Sequence, residues 1–222
     1  MHARASAGVR VLVADRHTLF CEAIVPLLHK ARGISEVRAA ASLEETLALL
    51  GSFAADVVVF SPALDERGPV HVARVVLHAR RQARLLLLDD AVRPIHVRIA
   101  LEAGAAGYWT KQCTVAELAT AIRLAGAGQW TFCPAVQDHV RLTRVGPCLK
   151  PRSPLGTLAE LSSRELEVFL HVARGVPVRE CARLLGISAR TVDNHKARLM
   201  RKLRVHKAIE LAWLAMREGI AP

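Results

Sequence analysis

Acidic, basic and hydroxyl side chains follow directly after short apolar runs in the first half of the chain. The residues at these run ends that could do chemistry are Asp15, Arg16, Ser61, Asp89, Asp90 and Lys111. Carboxylates are the ligands that Mg²⁺ depends on in proteins, and a serine hydroxyl needs an activating base to become a nucleophile. The guanidinium of Arg16 disfavours a cation, since a unit charge at about 4 Å contributes on the order of 4 kcal/mol at an effective dielectric near 20. These residue types favour mutual ion pairing over metal-assisted group transfer.

A second group of polar residues lies between Ser188 and Lys207, where the chain has its densest basic cluster. Val192, Leu199 and Leu203 fall seven and four residues apart, so one helix face packs inward and the opposite face is polar. An α-helix fits the major groove of DNA, and the cations beside it can neutralise phosphates. The residues that we expect to contact DNA are Arg190, Thr191, Asp193, Asn194, Lys196, Ala197, Arg198, Arg201, Lys202 and Lys207.

The elements that position the first group are predicted to alternate between strand and helix five times. The predicted strands are 9–14, 36–40, 56–60, 84–88 and 107–110, with helices over 18–30, 42–50, 70–79, 94–103 and 114–125. The strands are continuous apolar runs rather than alternating ones, which is typical of a parallel sheet covered on both faces. Functional residues in such sheets lie beyond the carboxyl ends of the strands, so the run-end residues are expected to meet there.

The second group is carried by short helical patterns that breakers separate. Helices are predicted over 161–173 and 179–185 and from Ser188, followed by an apolar one from Ile209 to about Gly219. Ser162 and Glu165 form a capping box, Ser188 is the expected N-cap of the third helix, and Pro177 suits the first turn of the second. Two short helices that lead into a basic third are typical of a helix-turn-helix. The predicted domains are 9–127 and 158–222, with 128–157 as a flexible, proline-containing linker.

Composition narrows the class of protein further. The net charge of +11 indicates a polyanionic partner, either nucleic acid or an anionic membrane. The five cysteines have neither paired nor metal-type spacing, as in a reduced intracellular protein. No apolar run reaches the roughly 20 residues that span a bilayer, and the first residues lack the apolar stretch of a signal peptide. We therefore expect a cytoplasmic protein without a membrane partner.

Several motifs together resemble one known family. They are VRVLVAD at the first strand, DVVVF at the third, AGAAGYWTK leading to Lys111, and then LSSRELEV, ARLLGIS and RTVDNHKARLMRKL. The chain resembles response regulators of the NarL/FixJ group over nearly all of its length. The resemblance implies an α/β plus all-α architecture, in which a flavodoxin-like (βα)5 receiver domain precedes a four-helix LuxR-type helix-turn-helix domain.

The resemblance also shows which chemical positions depart from the family. Family receivers use two acids after the first strand for Mg²⁺, an acceptor aspartate after the third, a hydroxyl residue after the fourth and a lysine after the fifth. Asp15 and Lys111 match this set, whereas Arg16, Ser61 and Asp89 do not. The implied receiver is degenerate, with no catalytic, metal or cofactor-binding residue. We expect its acids and bases to pair, Asp89 with Lys111 first; the alternative is that they are solvated loop-end residues with no shared role.

For three further residues near the pocket we predict a structural role. Tyr108 occupies the position of an aromatic switch residue in the family, but without an acceptor its expected role is packing. Trp109 is expected to pack at the strand edge, with a dimer contact as the alternative. His96 is expected to lie on a helix face.

For the third helix of the second domain, the resemblance implies that three residues face the bases. Asn194 can pair with adenine, Asp193 can accept from cytosine, and Ala197 can touch a thymine methyl. Asp193 has a competing role, in which it orients Arg190 or Lys196 instead. The final apolar helix resembles the one through which LuxR-type domains dimerise. The alternative is that it only closes the core of the domain, and the two roles could be combined.

The expected function is that of a transcriptional regulator, not an enzyme. It would bind promoter half-sites in double-stranded DNA as a homodimer, independently of aspartyl phosphorylation, with RNA polymerase or a sensor protein as further candidate partners. One alternative is a kinase-dependent regulator with a non-standard acceptor. Another is a nucleotide-binding enzyme domain tethered to DNA, against which stands the lack of a Gly-rich loop after the first strand.

Overall fold

The computed structural model describes residues 8–144, 146–150, 158 and 161–217. The chain divides into two compact units, the first of which extends to Lys150 and the second of which contains the last four helices. The end of the predicted linker, residues 151–157, and the end of the last predicted helix lie outside the described residues.

A parallel sheet forms the centre of the first unit. Its strands stand in the order β2-β1-β3-β4-β5-β6, and every neighbouring pair is parallel. Their bounds are β1 Val9–Ala14, β2 Ile34–Ala40, β3 Val57–Phe60, β4 Arg84–Asp89, β5 Gly107–Thr110 and β6 Thr131–Phe132. The central strands β3 and β5 are buried along their whole length, which explains why their sequences are continuous apolar runs. The predicted α/β sheet is confirmed.

Helices cover both faces of this sheet. Their bounds are α1 Thr18–His29, α2 Leu43–Ser52, α3 Pro69–Ala79, α4 Pro94–Glu102 and α5 Val115–Gly126. Ser42 caps α2 by accepting from the Glu45 backbone, and Thr114 and Glu117 form a complete capping box at α5. All five helices predicted for this half are present, with bounds within about two residues.

Residues 128–150 fold onto the first unit rather than forming the first part of a linker. After β6 come a short helix, α6 Pro134–Gln137, and an antiparallel hairpin of β7 Val140–Leu142 with β8 Pro147–Leu149. Strand β6 lies so close to β5 that a Cβ on Gly107 would stand 1.9 Å from the backbone oxygen of Thr131. The predicted start of the linker at 128 is wrong, because these residues extend the sheet and cover its edge.

The second unit consists of four helices. They are α7 Ser163–Val172, α8 Val178–Leu185, α9 Ala189–Leu203 and α10 Ala208–Arg217. A capping box of Ser162 and Glu165 begins α7, Gly186 ends α8 in the left-handed conformation (φ 65°), and Ser188 caps α9. Pro177 is the N-cap residue of α8, one position before the first turn that the sequence predicted for it. Leu166, Phe169 and Leu199 are buried in the core of the second unit.

No helix among the described residues is long and apolar enough to cross a membrane.

Candidate phosphoacceptor pocket and nucleic-acid interface

The carboxyl edge of the sheet brings most of the predicted pocket residues together. Asp15 follows β1 and Ser61 follows β3, and the Ser61 backbone donates to the carbonyl of Ala14, the last residue of β1, at 2.9 Å. Lys111 follows β5, and its backbone donates to the carbonyl of Asp89 at 2.7 Å. The backbone ladder itself therefore sets the positions of these four residues, as expected for strand ends in a parallel sheet.

Lys111 is held between two carboxylates. Its ammonium lies 2.7 Å from Oδ2 of Asp15 and 2.9 Å from Oδ1 of Asp90, and it stands 4.8 Å from the centre of the Phe20 ring. Burial lowers the pKa of Lys111, but the contacts with Asp15 and Asp90 raise it by more, so the pKa is raised overall. The lysine is therefore a fixed cation that two acids neutralise.

The predicted ion pair of Asp89 with Lys111 is wrong. Asp89 is 1% exposed, and its Oδ2 accepts from the Tyr108 hydroxyl at 2.8 Å and lies 2.7 Å from Nδ1 of His96. Successive side chains of an extended strand point to opposite faces, and it is the next residue, Asp90, that reaches the lysine. Of the four acids and bases that were expected to pair, Asp15 and Lys111 do so, whereas Asp89 contacts Tyr108 and His96 instead.

Tyr108 and His96 have larger roles than the sequence predicted. The Tyr108 hydroxyl also donates to the carbonyl of Ala91 at 3.0 Å, so it does more than pack. His96 lies on helix α4, as expected, and its Nδ1 contacts the Asp89 carboxylate. Trp109 packs as expected, since it is 9% exposed and its indole donates to the Thr131 hydroxyl at 3.1 Å.

Arg16 is not part of the pocket, contrary to its place in the predicted set. Its side chain is exposed and forms no ion pair with any described residue. His17 is there instead, with its backbone donating to Oδ1 of Asp15 at 2.9 Å and its ring nitrogen Nδ1 at 2.8 Å from the same oxygen. Reading one residue further at the end of β1 would have found this histidine.

The Ser61 hydroxyl has no base beside it among the described residues. Ser61 is 3% exposed, and its Oγ accepts from the backbone of Ala63 at 3.3 Å. Two other acids of this domain, Asp56 and Asp65, pair with Arg10 and Arg67 respectively. Nothing in this geometry activates the hydroxyl as a nucleophile.

Helix α9 presents the predicted polar face to solvent. Val192, Leu199 and Leu203 are buried on its inner side. The residues of the predicted interface that are exposed on α9 are Arg190, Asp193, Asn194, Ala197, Arg198, Arg201 and Lys202, while Thr191 and Lys196 are half-buried. Lys207 is exposed just before α10.

Two predicted DNA-contacting residues already have partners inside the second unit. The Thr191 hydroxyl lies 2.8 Å from that of Ser188 at the N-terminal cap of α9. The Lys202 ammonium lies 2.6 Å from Oε2 of Glu165 at the start of α7. Asp193, by contrast, forms no ion pair with Arg190, Lys196 or any other described residue, so the competing orienting role is not seen in this chain.

Helix α10 both closes the core and leaves an apolar face uncovered. Leu211 and Ala215 are buried, whereas Ile209, Trp213 and Met216 are 59%, 69% and 51% exposed. The two roles considered for this helix are therefore compatible with each other.

All five cysteines are free. Burial raises the pKa of Cys21, Cys133 and Cys181, and it raises that of Cys113 to about 11. The described residues contain no cluster of three or more histidine, cysteine or acidic side chains that could hold a metal ion.

Residues 159–215, which span α7 to α10, match the family model described as bacterial regulatory proteins, luxR family. The response regulator GacA of Pseudomonas viridiflava is 32% identical over 213 residues, which cover 96% of this chain and 97% of the relative. The chain belongs to the LuxR family of response regulators. Response regulator UvrY of Escherichia coli K12 is 29% identical, over 96% of this chain and 95% of the relative. Both relatives are response regulators, in agreement with the predicted class.

The two-domain architecture of this LuxR-family response regulator is found in solved structures. RcsB from Salmonella enterica serovar Typhimurium, bound to the promoter P1flhDC in the presence of phosphomimetic BeF3⁻, has a TM-score of 0.67 and 19% identity. The match covers 93% of this chain and 97% of that one. At this identity the likeness concerns the fold, and it confirms the receiver-like sheet followed by the helical domain.

Proposed function

We propose that the chain is a DNA-binding transcriptional regulator whose receiver domain does not switch by aspartyl phosphorylation. The observation that carries this proposal is the pairing of Lys111 with Asp15 and Asp90 beside Ser61, which has no activating base among the described residues. In the family, the corresponding lysine and acids serve an acceptor aspartate at the end of the third strand. In this chain a serine stands there.

The residues at the strand ends do not fit Mg²⁺. Mg²⁺ requires near-octahedral oxygen ligation and relies on carboxylates. Asp15 is the one carboxylate left of the family's set, and its two oxygens face His17 and Lys111. A cation there would have to displace both the imidazole of His17 and the ammonium of Lys111.

The DNA-binding part of the proposal rests on the exposed face of α9. Arg190, Arg198 and Arg201 are exposed cations without a described partner, suited to phosphates, and Asn194 and Asp193 present an amide and a carboxylate that can read base edges. Solved structures of RcsB show that protein bound to promoter DNA and as two dimers on two parallel DNAs. For this chain we propose binding to promoter DNA as a dimer, with α9 in the major groove.

Homodimer formation is proposed through the apolar face of α10. Ile209, Trp213 and Met216 form an exposed apolar surface that a second copy would cover. A two-fold dimer would place two α9 helices on paired half-sites. The proposed site of action is the cytoplasm, where RNA polymerase and a sensor protein are the further candidate partners.

Footprinting of the purified, untreated protein on the DNA upstream of its own gene tests this function. Protection of two adjacent half-sites is expected, and it should be lost in Asn194→Ala and in Arg198→Gln while both variants remain folded. Protection by wild type that neither variant weakens would place the DNA contact elsewhere. No protection on this DNA, or on duplexes selected from a random library, would refute the function.

A further inference from the structure

Helix α9 carries several cations, and one of them differs from the others in its surroundings. Arg190, Arg198 and Arg201 are exposed and have no described partner. Lys202 lies 2.6 Å from a Glu165 carboxylate whose side chain is only 5% exposed, while the lysine side chain itself is 40% exposed. The charge of Lys202 is thus directed at the protein and not at solvent.

Glu165 links this lysine to the start of α7. Its Oε2 accepts from the Ser162 backbone at 2.7 Å, and its own backbone donates to the Ser162 hydroxyl at 3.3 Å, which completes the capping box. The same Oε2 receives the Lys202 ammonium. A single carboxylate oxygen therefore fixes the first turn of α7 and the last turn of α9 to each other.

The neighbouring residue of α7 holds the other helix of the motif. The Arg164 guanidinium donates to the carbonyl of Leu185, the last residue of α8, at 2.7 Å. Two consecutive side chains, Arg164 and Glu165, thus anchor α8 and α9 to the first turn of α7. Such anchoring sets the angle at which α9 projects from the domain, and a reading helix contacts base edges only when that angle is right.

We propose that Lys202 is a positioning residue that fixes α9 through Glu165 and does not neutralise a DNA phosphate. The inference rests on the proposed DNA-binding function, because DNA binding is what the test measures. The sequence alone placed Lys202 among the residues expected to contact DNA. Loss of a phosphate contact weakens binding to every sequence alike and flattens the salt dependence, whereas loss of a positioning residue affects the reading of bases.

The test uses the full-length chain with Lys202→Gln, Glu165→Gln, the double variant, Lys202→Arg, and Arg201→Gln as the matched exposed cation. Glutamine at 165 can still accept from the Ser162 backbone, so the capping box is preserved. Affinity is measured for a duplex that wild type selects from a random library and for a scrambled duplex, over a series of salt concentrations.

For Lys202→Gln and Glu165→Gln we expect about tenfold weaker binding to the selected duplex, with unchanged affinity for the scrambled duplex and an unchanged salt slope. The double variant should be no weaker than either single variant, and Lys202→Arg should bind as wild type does. Arg201→Gln should weaken both duplexes and reduce the slope by about one per subunit. The proposal is overturned if Lys202→Gln behaves as Arg201→Gln does while Glu165→Gln binds normally.

Thermal unfolding of the same variants separates this inference from the proposed function. If the pair exists, each single variant lowers Tm by about 5 °C and the double variant by no more than the larger single shift. Additive Tm shifts would overturn the pairing itself. If the Tm shifts of the variants are coupled but the wild-type protein selects no duplex, the DNA-binding function is refuted instead.

Discussion

At the residue scale, Asp89 and Asp90 are adjacent acids in opposite environments. Asp89 accepts from the Tyr108 hydroxyl and the Asp90 backbone at 2.8 Å each and is 1% exposed. The Asp90 side chain is 54% exposed and forms an ion pair with Lys111. A buried donor that loses its acceptor retains the full cost of desolvation, while an exposed ion pair contributes little.

Asp89→Ala is therefore expected to lower the free energy of unfolding by about 2–3 kcal/mol, and Asp90→Ala by less than about 1 kcal/mol. Urea unfolding at neutral pH measures both values. Tyr108→Phe should cost about 1 kcal/mol and should cost less in an Asp89→Ala background. Equal, small losses for both acids would show that the Asp89 network does not stabilise the fold.

Glu165 makes the stability of the second unit pH-dependent. Burial raises its pKa, but the hydrogen bonds from Lys202 and from Ser162 lower it by more, from 4.5 to about 2. Because the folded-state pKa is depressed, the stabilisation is complete above the unfolded-state value and is lost as pH falls towards about 2. Wild type should lose stability steeply between about pH 5 and pH 2, and Glu165→Gln less steeply. Parallel pH profiles of Tm in the two proteins would contradict this assignment.

Sequence reasoning located the run-end residues but not their partners. The positions of Asp15, Ser61 and Lys111 follow from the strand ends alone, because a parallel sheet aligns its carboxyl edges. The partners depend on which way each side chain leaves the strand end, and a shift of one residue exchanges Asp89 for Asp90 and Arg16 for His17. The spacing of residues along the sequence does not show in which direction each side chain leaves the strand end.

At the element scale, local hydrogen bonds fix where helices begin. The Thr114 hydroxyl accepts from the Glu117 backbone at 3.2 Å, and the Glu117 carboxylate accepts from the Thr114 backbone at 2.8 Å. Thr114→Ala should destabilise the first unit by about 1 kcal/mol, whereas Thr120→Ala, an exposed threonine inside the same helix, should change stability by less than about 0.5 kcal/mol. Chemical denaturation distinguishes them, and equal effects would mean that the cap does not limit α5.

The predicted elements were reliable where the pattern was long and unreliable where it was short. The helices of both units and β1 to β5 follow from periodicity, caps and continuous apolar runs. Strands β6 to β8 have two or three residues each, and the prolines around them led to the prediction of a linker. The pairing of β6 with β5 depends on contacts such as Trp109 with Thr131, which join residues far apart in the sequence.

At the scale of the whole molecule, the net charge of +11 predicts salt-sensitive DNA binding. A dimer that neutralises about eight phosphates should show a slope near −7 when log affinity is plotted against log salt. Titration of the full-length protein against its selected duplex measures this slope. Tight binding with a slope near zero would contradict an interface dominated by phosphate contacts.

Competence of the DNA-binding domain without phosphorylation of the receiver is the property proposed for the whole molecule. Its most direct test compares the DNA affinity of the purified protein before and after incubation with a small phosphodonor and Mg²⁺, with intact mass and acid-labile phosphate measured on the same samples. The predicted result is unchanged mass, no acid-labile phosphate and one affinity in both samples. Incorporated phosphate accompanied by tighter DNA binding would contradict the account and would identify a regulator with a non-standard acceptor.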